Sequence, residues 1–335
     1  MSQKLGLKES LSDFFTSNNE IKYILFGGKG GLGKTTLSAA TSYWLAKKGK
    51  KVCVFSTDPQ ASLTDIFERK IFGQGEVEIA PNLFALEIDA DKRITDYQNE
   101  IRNKIKEMYK METIPDEVED YISSSSAEPA MAESATFDAM VELMTSGKYD
   151  YYVFDMMPHG HAIRFLGMAE ILDQWVSKIL DVRKKAAEYG ETAAVLGGDK
   201  GGLAQEDYVL KELEFIRGRL DFVSNMIRDK KHTAFFYVLI PELMPILDTR
   251  KAIQMFREFD VEVSGVIVNQ VYPETLLNQD GVPGFLKNRI RSQQQYLKQI
   301  AEEFGSMIKA VVPMLEREPK GLEMIERVSK ILYGE

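Results

Sequence analysis

One glycine-rich segment restricts the possible folds of this chain more than any other part of its sequence. Residues 28–35 read GKGGLGKT and match the P-loop pattern G-x-x-x-x-G-K-[ST]. An apolar run at 23–26 precedes the segment, and apolar residues at helical spacing follow Thr36. A glycine loop between a strand and a helix can direct several backbone N–H groups at one anion, and the helix N-terminus adds a partial positive charge. The segment therefore predicts a phosphate-binding loop in an α/β fold.

Each polar group of this loop has an expected task. Lys34 should reach the β- and γ-phosphates of a nucleotide, and the Thr35 hydroxyl should ligate Mg²⁺. Lys29 is a second lysine that an ordinary P-loop does not require, so it is either a solvated surface charge or a residue with a separate role. The residues predicted to bind nucleotide in this segment are Gly28, Gly30, Gly31, Gly33, Lys34, Thr35 and Thr36.

Short apolar runs recur along the chain and alternate with longer segments of helical periodicity. We predict strands at 51–56, 83–88, 150–155, 233–240, 262–269 and 307–312, with helices between them. Strands that alternate with helices of this length indicate a doubly wound, mostly parallel sheet. The stretch from 91 to 147 is largely helical and interrupts the alternation, which predicts a helical insertion into a P-loop NTPase core.

Two of the predicted strands end in or just before an aspartate. Asp58 follows the strand at 51–56, and Asp155 ends the strand at 150–155. Carboxyl ends of parallel strands face the ligand crevice of such sheets, so Asp58 is placed to orient and deprotonate an attacking water. An N-cap or turn role ahead of Pro59 is the alternative for Asp58. Asp155 has the Walker B arrangement, and we predict that Thr35, Asp58 and Asp155 form the Mg²⁺ site, with Asp155 acting through water.

A short loop directly after Asp155 has the composition of a nucleotide-sensing switch. Pro158, Gly160 and His161 follow the strand, and a loop of this kind can respond to the γ-phosphate and move on hydrolysis. His159 and His161 have no third metal ligand nearby in the sequence, so a histidine metal site is not favoured.

Base selection is predicted at the end of a late strand. Asn269 offers one amide donor and one acceptor, which match N7 and N6 of adenine. Guanine recognition in this architecture usually uses Asn-Lys-x-Asp, whereas residues 269–272 read NQVY. ATP is therefore favoured over GTP. The segment from Pro313 to Gly321 follows the last strand and is placed to close over the base.

Composition excludes several other classes of function. The net charge of −9 and the pI of about 5.2 argue against sequence-independent nucleic-acid binding through a basic face. The single cysteine, Cys53, lies in an apolar run, which predicts a buried thiol and excludes an intrachain disulfide or a multi-cysteine metal site within one chain. No leader-like segment or 18-residue apolar run is present, so we expect a cytoplasmic protein without stable membrane insertion.

Taken together, the motifs resemble one known family of ATPases. The matching elements, in chain order, are KGGLGKTT at 29–36, DP at 58–59, Phe154-Asp155, Pro158-x-Gly160-His161, RFL at 164–166 and Val268-Asn269-Gln270. This set, which spans nearly the whole chain, is similar to the arsenical pump-driving ATPases and the guided-entry ATPases that target tail-anchored membrane proteins. Where the family often has Asp-Pro-Ala-His, this chain has DPQA at 58–61, and Met156 and Met157 separate Asp155 from Pro158.

The resemblance implies a Mg-ATP-dependent homodimer with nucleotides held at the interface. In that arrangement Asp58, Lys34 and Lys29 are catalytic, Lys29 reaches the partner's nucleotide, and Asn269 with Pro313 contacts adenine. It also implies a division into an ATPase core at 1–90, 147–165 and 232–335 and a helical subdomain at 91–146 and 166–231 that binds a protein client. The cysteine count implies that neither the zinc site nor the arsenite site known in parts of the family is present.

Four functions remain open on sequence grounds. The first is a Mg-ATPase switch or chaperone that binds a protein client, including apolar segments of membrane proteins. The second is a positioning ATPase similar to ParA or MinD, which the mixed charge of residues 323–332 disfavours. The third is an ATP-dependent metabolic ligase or kinase on the same fold. The fourth is an ATPase linked to arsenite-type anion transport.

Overall fold

Eight strands form one sheet in the computed structural model, which describes residues 7–56, 61–109, 111–125, 129–156, 176–179, 181 and 208–335. Their order across the sheet is β3-β4-β2-β5-β1-β6-β7-β8. The strands are β1 Tyr23–Gly27, β2 Val52–Ser56, β3 Val77–Ala80, β4 Leu83–Glu87, β5 Tyr151–Asp155, β6 Thr233–Leu239, β7 Gly265–Val271 and β8 Ile308–Pro313. All neighbouring pairs are parallel except β3 with β4. The predicted doubly wound, mostly parallel sheet is confirmed.

Helices cover both faces of this sheet. They are α1 Leu11–Ser17, α2 Lys34–Lys47, α3 Ser62–Phe67, α4 Ala90–Tyr109, α5 Asp116–Ser125, α6 Pro129–Thr145, α7 Tyr208–Arg228, α8 Leu243–Glu258, α9 Gly284–Phe304 and α10 Gly321–Tyr333. One core contains side chains from α6, α7, α8 and α9, and the other contains side chains from α1, α2, α3 and α10. The P-loop helix α2 therefore lies on the same face of the sheet as α1, α3 and α10.

The central strands supply both cores because their side chains alternate between the faces. In β1, Tyr23 and Leu25 join the first core while Ile24 and Phe26 join the second. Every residue of β1 is buried, which is the pattern expected of a parallel strand covered on both sides. Cys53 in β2 follows the same rule and is fully buried, as the sequence predicted. Burial raises the pKa of its thiol well above the ordinary range.

Strand β3 is the one element of the sheet that the sequence reading missed. It has only four residues and pairs antiparallel at the edge, with a register irregularity between Glu78 and Ala80. A four-residue strand carries too few positions for its alternation to be distinguished from a loop. The edge pairing shows that the parallel order ends at β4.

The C-terminal helix fixes the P-loop helix from outside. The rings of Trp44 in α2 and Tyr333 in α10 are stacked, with centroids 3.9 Å apart. The Tyr333 hydroxyl donates to Thr41 Oγ1 at 2.9 Å, and Trp44 Nε1 donates to Glu335 Oε1 at 2.9 Å. Because α2 begins at Lys34 in the P-loop, these contacts also restrain the phosphate-binding segment.

Helices α4 to α7 lie in the stretches predicted as a helical subdomain, 91–146 and 166–231, except that α4 begins one residue earlier, at Ala90. Arg93 in α4 pairs with Glu142 in α6 at 2.5 Å, and Gln98 Nε2 of α4 donates to the Ile122 carbonyl of α5 at 2.7 Å. These contacts connect α4 to both α5 and α6. The exact division of the chain into core and subdomain stays a prediction.

Candidate nucleotide site

The P-loop begins at the end of β1, where its backbone lies close to the neighbouring strand β6. Gly28 has φ +144°, and a Cβ at this position would lie 2.6 Å from the Val238 carbonyl oxygen. A side chain at residue 28 would therefore require both a strained backbone and a shift of β6. Gly33 has φ +89° and caps α2, and a Cβ there would collide with the Asn269 amide. The chain can curl at this point only because these positions are glycine.

The two lysines of the loop have different surroundings. Lys34 is buried at the first position of α2, and its Nζ donates to the Lys29 carbonyl at 3.2 Å. The Lys29 side chain is 48% exposed, and its Nζ lies 3.2 Å from Asp248 Oδ2 on α8. Gly30 and Gly31 are exposed beside it. Lys34 therefore faces into the loop, whereas Lys29 projects from its surface.

The predicted metal-binding groups Thr35 and Asp155 are in direct contact. Thr35 Oγ1 donates to Asp155 Oδ2 at 2.7 Å, and Asp155 is only 3% exposed at the end of β5. The hydroxyls of Ser56 and Ser62 lie 3.5 and 3.4 Å from the same carboxylate oxygen. Strands β1, β2 and β5 are adjacent, so their carboxyl ends bring these oxygens to one point.

This donor set fits magnesium. Mg²⁺ takes oxygen ligands and usually keeps several waters beside one or two protein groups. Thr35 and Asp155 supply a hydroxyl and a carboxylate beneath the phosphate loop. Across the described parts of the chain, no cluster of three or more His, Cys, Asp or Glu side chains is placed to hold a metal by protein ligands alone.

A buried glutamate that the sequence reading overlooked holds the start of α3. Glu87 ends β4 and is 2% exposed. Its Oε1 accepts from the backbone N–H groups of Leu63 and Thr64 at 2.6 and 3.2 Å, and its Oε2 accepts from Thr64 Oγ1 at 2.6 Å. One carboxylate thus fixes the start of α3, and the hydroxyl of Ser62 beside it faces Asp155.

We expect Glu87→Ala to lower the free energy of unfolding by about 2–4 kcal/mol, because it leaves two backbone donors and one hydroxyl without their buried acceptor. Urea unfolding of the purified protein measures this loss. Glu78→Ala on neighbouring β3 is the control, because Glu78 is exposed and its change should stay within about 0.5 kcal/mol. Equal losses in the two variants would contradict the anchoring role of Glu87.

The end of β7 supports the P-loop backbone directly. Asn269 is buried, and its Nδ2 donates to the Leu32 carbonyl at 2.8 Å. Gln270, with φ +55°, donates from Nε2 to the Gly31 carbonyl at 3.3 Å. Asn269 therefore has its amide donor on the P-loop, and its contact with adenine stays a prediction.

Pro313 lies at the same edge of the sheet. It ends β8 and is in register with Val271, and the Met314 N–H donates to the Val271 carbonyl at 2.9 Å. The carboxyl ends of β7 and β8 thus lie side by side. The contact of Pro313 with adenine stays a prediction.

Several predicted residues cannot be compared with the structure. Asp58 of the first switch and Pro158, Gly160 and His161 of the second lie outside the described residues. Their roles therefore stay predictions. The described chain does reach Ser56 before the first switch and Met156 before the second, and both strands end at the carboxyl edge beside Asp155.

None of the described helices combines the length and the apolar character that crossing a bilayer requires.

Comparisons with known proteins agree with this geometry. A family model described as Anion-transporting ATPase matches residues 21–334. The putative arsenical pump-driving ATPase 2 of Aquifex aeolicus is 30% identical over 314 residues, which cover 93% of this chain and 99% of that protein. Its relative, the putative arsenical pump-driving ATPase 1 of the same organism, is 32% identical over 321 residues, with coverages of 94% and 79%. ATPase get3 of Aspergillus niger is 28% identical over 333 residues, with coverages of 98% and 95%.

Proposed function

Because the chain belongs to the anion-transporting ATPase family, we propose that it is a magnesium-dependent homodimeric switch that couples ATP hydrolysis to the binding of a protein client. Its enzymatic reaction is the hydrolysis of ATP to ADP and phosphate. The observation that carries the proposal is the contact of Thr35 with Asp155 directly beneath the glycine loop. This contact joins a phosphate-binding element to a Mg²⁺-binding element in one site.

The proposed chemistry assigns one task to each residue of the site. Lys34 and the N-terminus of α2 balance the phosphate charge, and Asp58 takes a proton from the attacking water as the bond to the γ-phosphorus forms and the bond to ADP breaks. Thr35 and Asp155 would hold Mg²⁺, which when bound neutralises charge on the β- and γ-phosphates. Asn269 and Pro313 are the proposed contacts to adenine.

Exposure of Lys29 supports the dimeric part of the proposal. Its side chain is 48% exposed at the surface of the P-loop, whereas Lys34 is buried. An ammonium group in this position can contact the nucleotide of a second subunit that packs against the loop. Each active site of the proposed dimer then takes Lys34 from one chain and Lys29 from the other.

Client binding is proposed for the helical subdomain. Phe215 and Ile216 of α7 are 58% and 38% exposed. The methionines Met140, Met144 and Met226 are instead buried in the core, so they stabilise helix packing. The exposed pair on α7, together with the resemblance to guided-entry ATPases, supports a client with apolar segments.

The enzymatic part is tested by measuring phosphate release from ATP and from GTP, with Mg²⁺ and with excess EDTA. We expect turnover of ATP that is lost when EDTA removes the metal and is restored by added Mg²⁺. Light scattering at micromolar protein should show a dimer with Mg-ATP. A protein that stays monomeric under these conditions would remove the dimeric switch, and faster turnover of GTP would remove the adenine assignment.

The client is tested separately. The Asp58→Asn protein, loaded with Mg-ATP, should retain bound partners that mass spectrometry can identify. Phe215→Ser should reduce the recovery of apolar segments, with Leu247→Ser on α8 as a matched exposed control. Equal recovery from both variants would place the client elsewhere.

A further inference from the structure

Lys29 forms an ion pair within its own subunit. This pair would have to break before the lysine could act across the proposed dimer. The ammonium of Lys29 lies 3.2 Å from Asp248 Oδ2, and no hydrogen bond to this carboxylate oxygen is formed by any described residue. The contact is therefore an ion pair without hydrogen-bond geometry. Since Lys29 is half exposed, water can solvate its ammonium when the pair opens, so the cost on the lysine side is small.

The surroundings of Asp248 favour a cation at this position. Asp248 is 23% exposed on α8, and the Oδ2 atom itself is buried. The nearby Tyr237 hydroxyl is buried without a hydrogen-bond partner among the described residues. Burial raises the pKa of Tyr237, and the Asp248 carboxylate raises it further. A carboxylate oxygen removed from water in this way is stabilised by the Lys29 ammonium, which is the cation beside it.

The fold fixes both partners of the pair. Tyr237 is in register with Gly27 across β1 and β6, and Gly28 packs against the Val238 carbonyl, so the backbone before Lys29 is held against β6. Helix α8 follows β6 directly and brings Asp248 to the same edge. The pair therefore spans the P-loop and the neighbouring helix.

We propose that Asp248 is a positioning residue that holds Lys29 within its own subunit until nucleotide phosphates of a second subunit compete for it. This inference rests on the proposed function, because it requires that Lys29 acts across a dimer. In the nucleotide-free protein the carboxylate holds the ammonium away from an approaching subunit. With ATP bound, the phosphates present more negative charge than one carboxylate, and the lysine transfers to them.

The test compares Asp248→Asn with a charge-matched control on the same helix. Glu258→Gln removes one negative charge from an exposed position at the end of α8. We expect Asp248→Asn to lower the ATP concentration that gives half-maximal dimer formation by about two- to fivefold, since an exposed ion pair contributes an energy of this order. Glu258→Gln should leave that concentration unchanged, and Asp248→Glu should restore the wild-type value because it keeps the carboxylate.

A second measurement tests the contact between Lys29 and Asp248 without requiring dimer formation. Acylation of Lys29 in the nucleotide-free protein, followed by mass spectrometry, should be about two- to fivefold faster in Asp248→Asn than in wild type. Exposed Lys50 is the internal reference and should react equally in both proteins.

The outcomes separate this inference from the proposed function. Unchanged acylation of Lys29, or a higher ATP requirement for dimers in Asp248→Asn, overturns the positioning role. Faster acylation with no ATP-dependent dimer in any variant, wild type included, overturns the proposed dimer and with it the transfer step. Faster acylation with easier dimer formation supports both.

Discussion

Asp58→Asn should lower ATP turnover by about 10²–10⁴-fold, the range for loss of a general base, while ATP binding is retained. Asparagine is nearly isosteric with aspartate and can still contact a water, but it cannot accept the proton that the water loses on attack. The expected signature is therefore a fall in kcat with little change in the concentration of ATP that saturates the protein.

The described residues around Asp58 support this expectation. Ser56 ends β2 beside Asp155, with its hydroxyl 3.5 Å from that carboxylate. Asp58 follows Ser56 by two residues in the sequence. On the other side, Glu87 fixes Leu63 and Thr64. The described residues on either side of Asp58 in the sequence, Ser56 and Ser62, therefore both lie beside Asp155 at the proposed Mg²⁺ position.

The measurement combines phosphate release with equilibrium binding of a fluorescent ATP analogue. Asp65→Asn is the matched control, because Asp65 is an exposed carboxylate seven residues further along and should leave turnover within about twofold of wild type. Unchanged turnover in Asp58→Asn would remove this residue from the chemistry. Loss of nucleotide binding instead would assign Asp58 to holding the loop, which is the turn role that the sequence left open.

The parts of the site that could be predicted from sequence are those that depend on local chain order. The glycines at 28 and 33 mark backbone turns, and the strand–loop–helix order around them is contained in fourteen consecutive residues, 23–36. Asp155 could be placed near Thr35 because parallel strands next to the P-loop strand end at the same edge. The second inference joins residues 120 positions apart, but it needed only the general rule for parallel sheets and no knowledge of side-chain packing.

The contacts that could not be predicted join residues far apart in the chain. The Asn269 amide was assigned to a base because of its chemistry, yet its donor contacts the Leu32 carbonyl, 237 residues away in sequence. The ion pair between Lys29 and Asp248 depends on how α8 packs against β6. Only Glu87 had a usable signal, since the alternation of β4 places it on the buried face with Leu83 and Ala85. A carboxylate on a buried face requires donors, and here they come from α3.

Lys29→Ala should reduce ATP turnover by about 10³-fold or more, because a cation that reaches the transferring phosphate from another subunit acts like an arginine finger. Binding of ATP to the isolated subunit should persist, because Lys34, Thr35 and the loop backbone are unchanged. The control Lys50→Ala removes an exposed lysine beyond the end of α2 and should leave turnover unchanged. A loss of less than tenfold in Lys29→Ala would argue that the lysine is a solvated surface charge.

Mixing two inactive variants distinguishes a lysine that acts across the dimer from one that acts in its own subunit. In a heterodimer of Lys29→Ala and Asp58→Asn, one site would contain an intact Asp58 from the first chain and an intact Lys29 from the second. Random pairing makes about half of the dimers mixed, and one of their two sites is complete, so about a quarter of wild-type turnover should return if the sites work independently. If Lys29 served its own subunit, the first chain would lack the lysine and the second the aspartate. No mixed dimer would then contain a complete site, and turnover would stay at the level of the single variants.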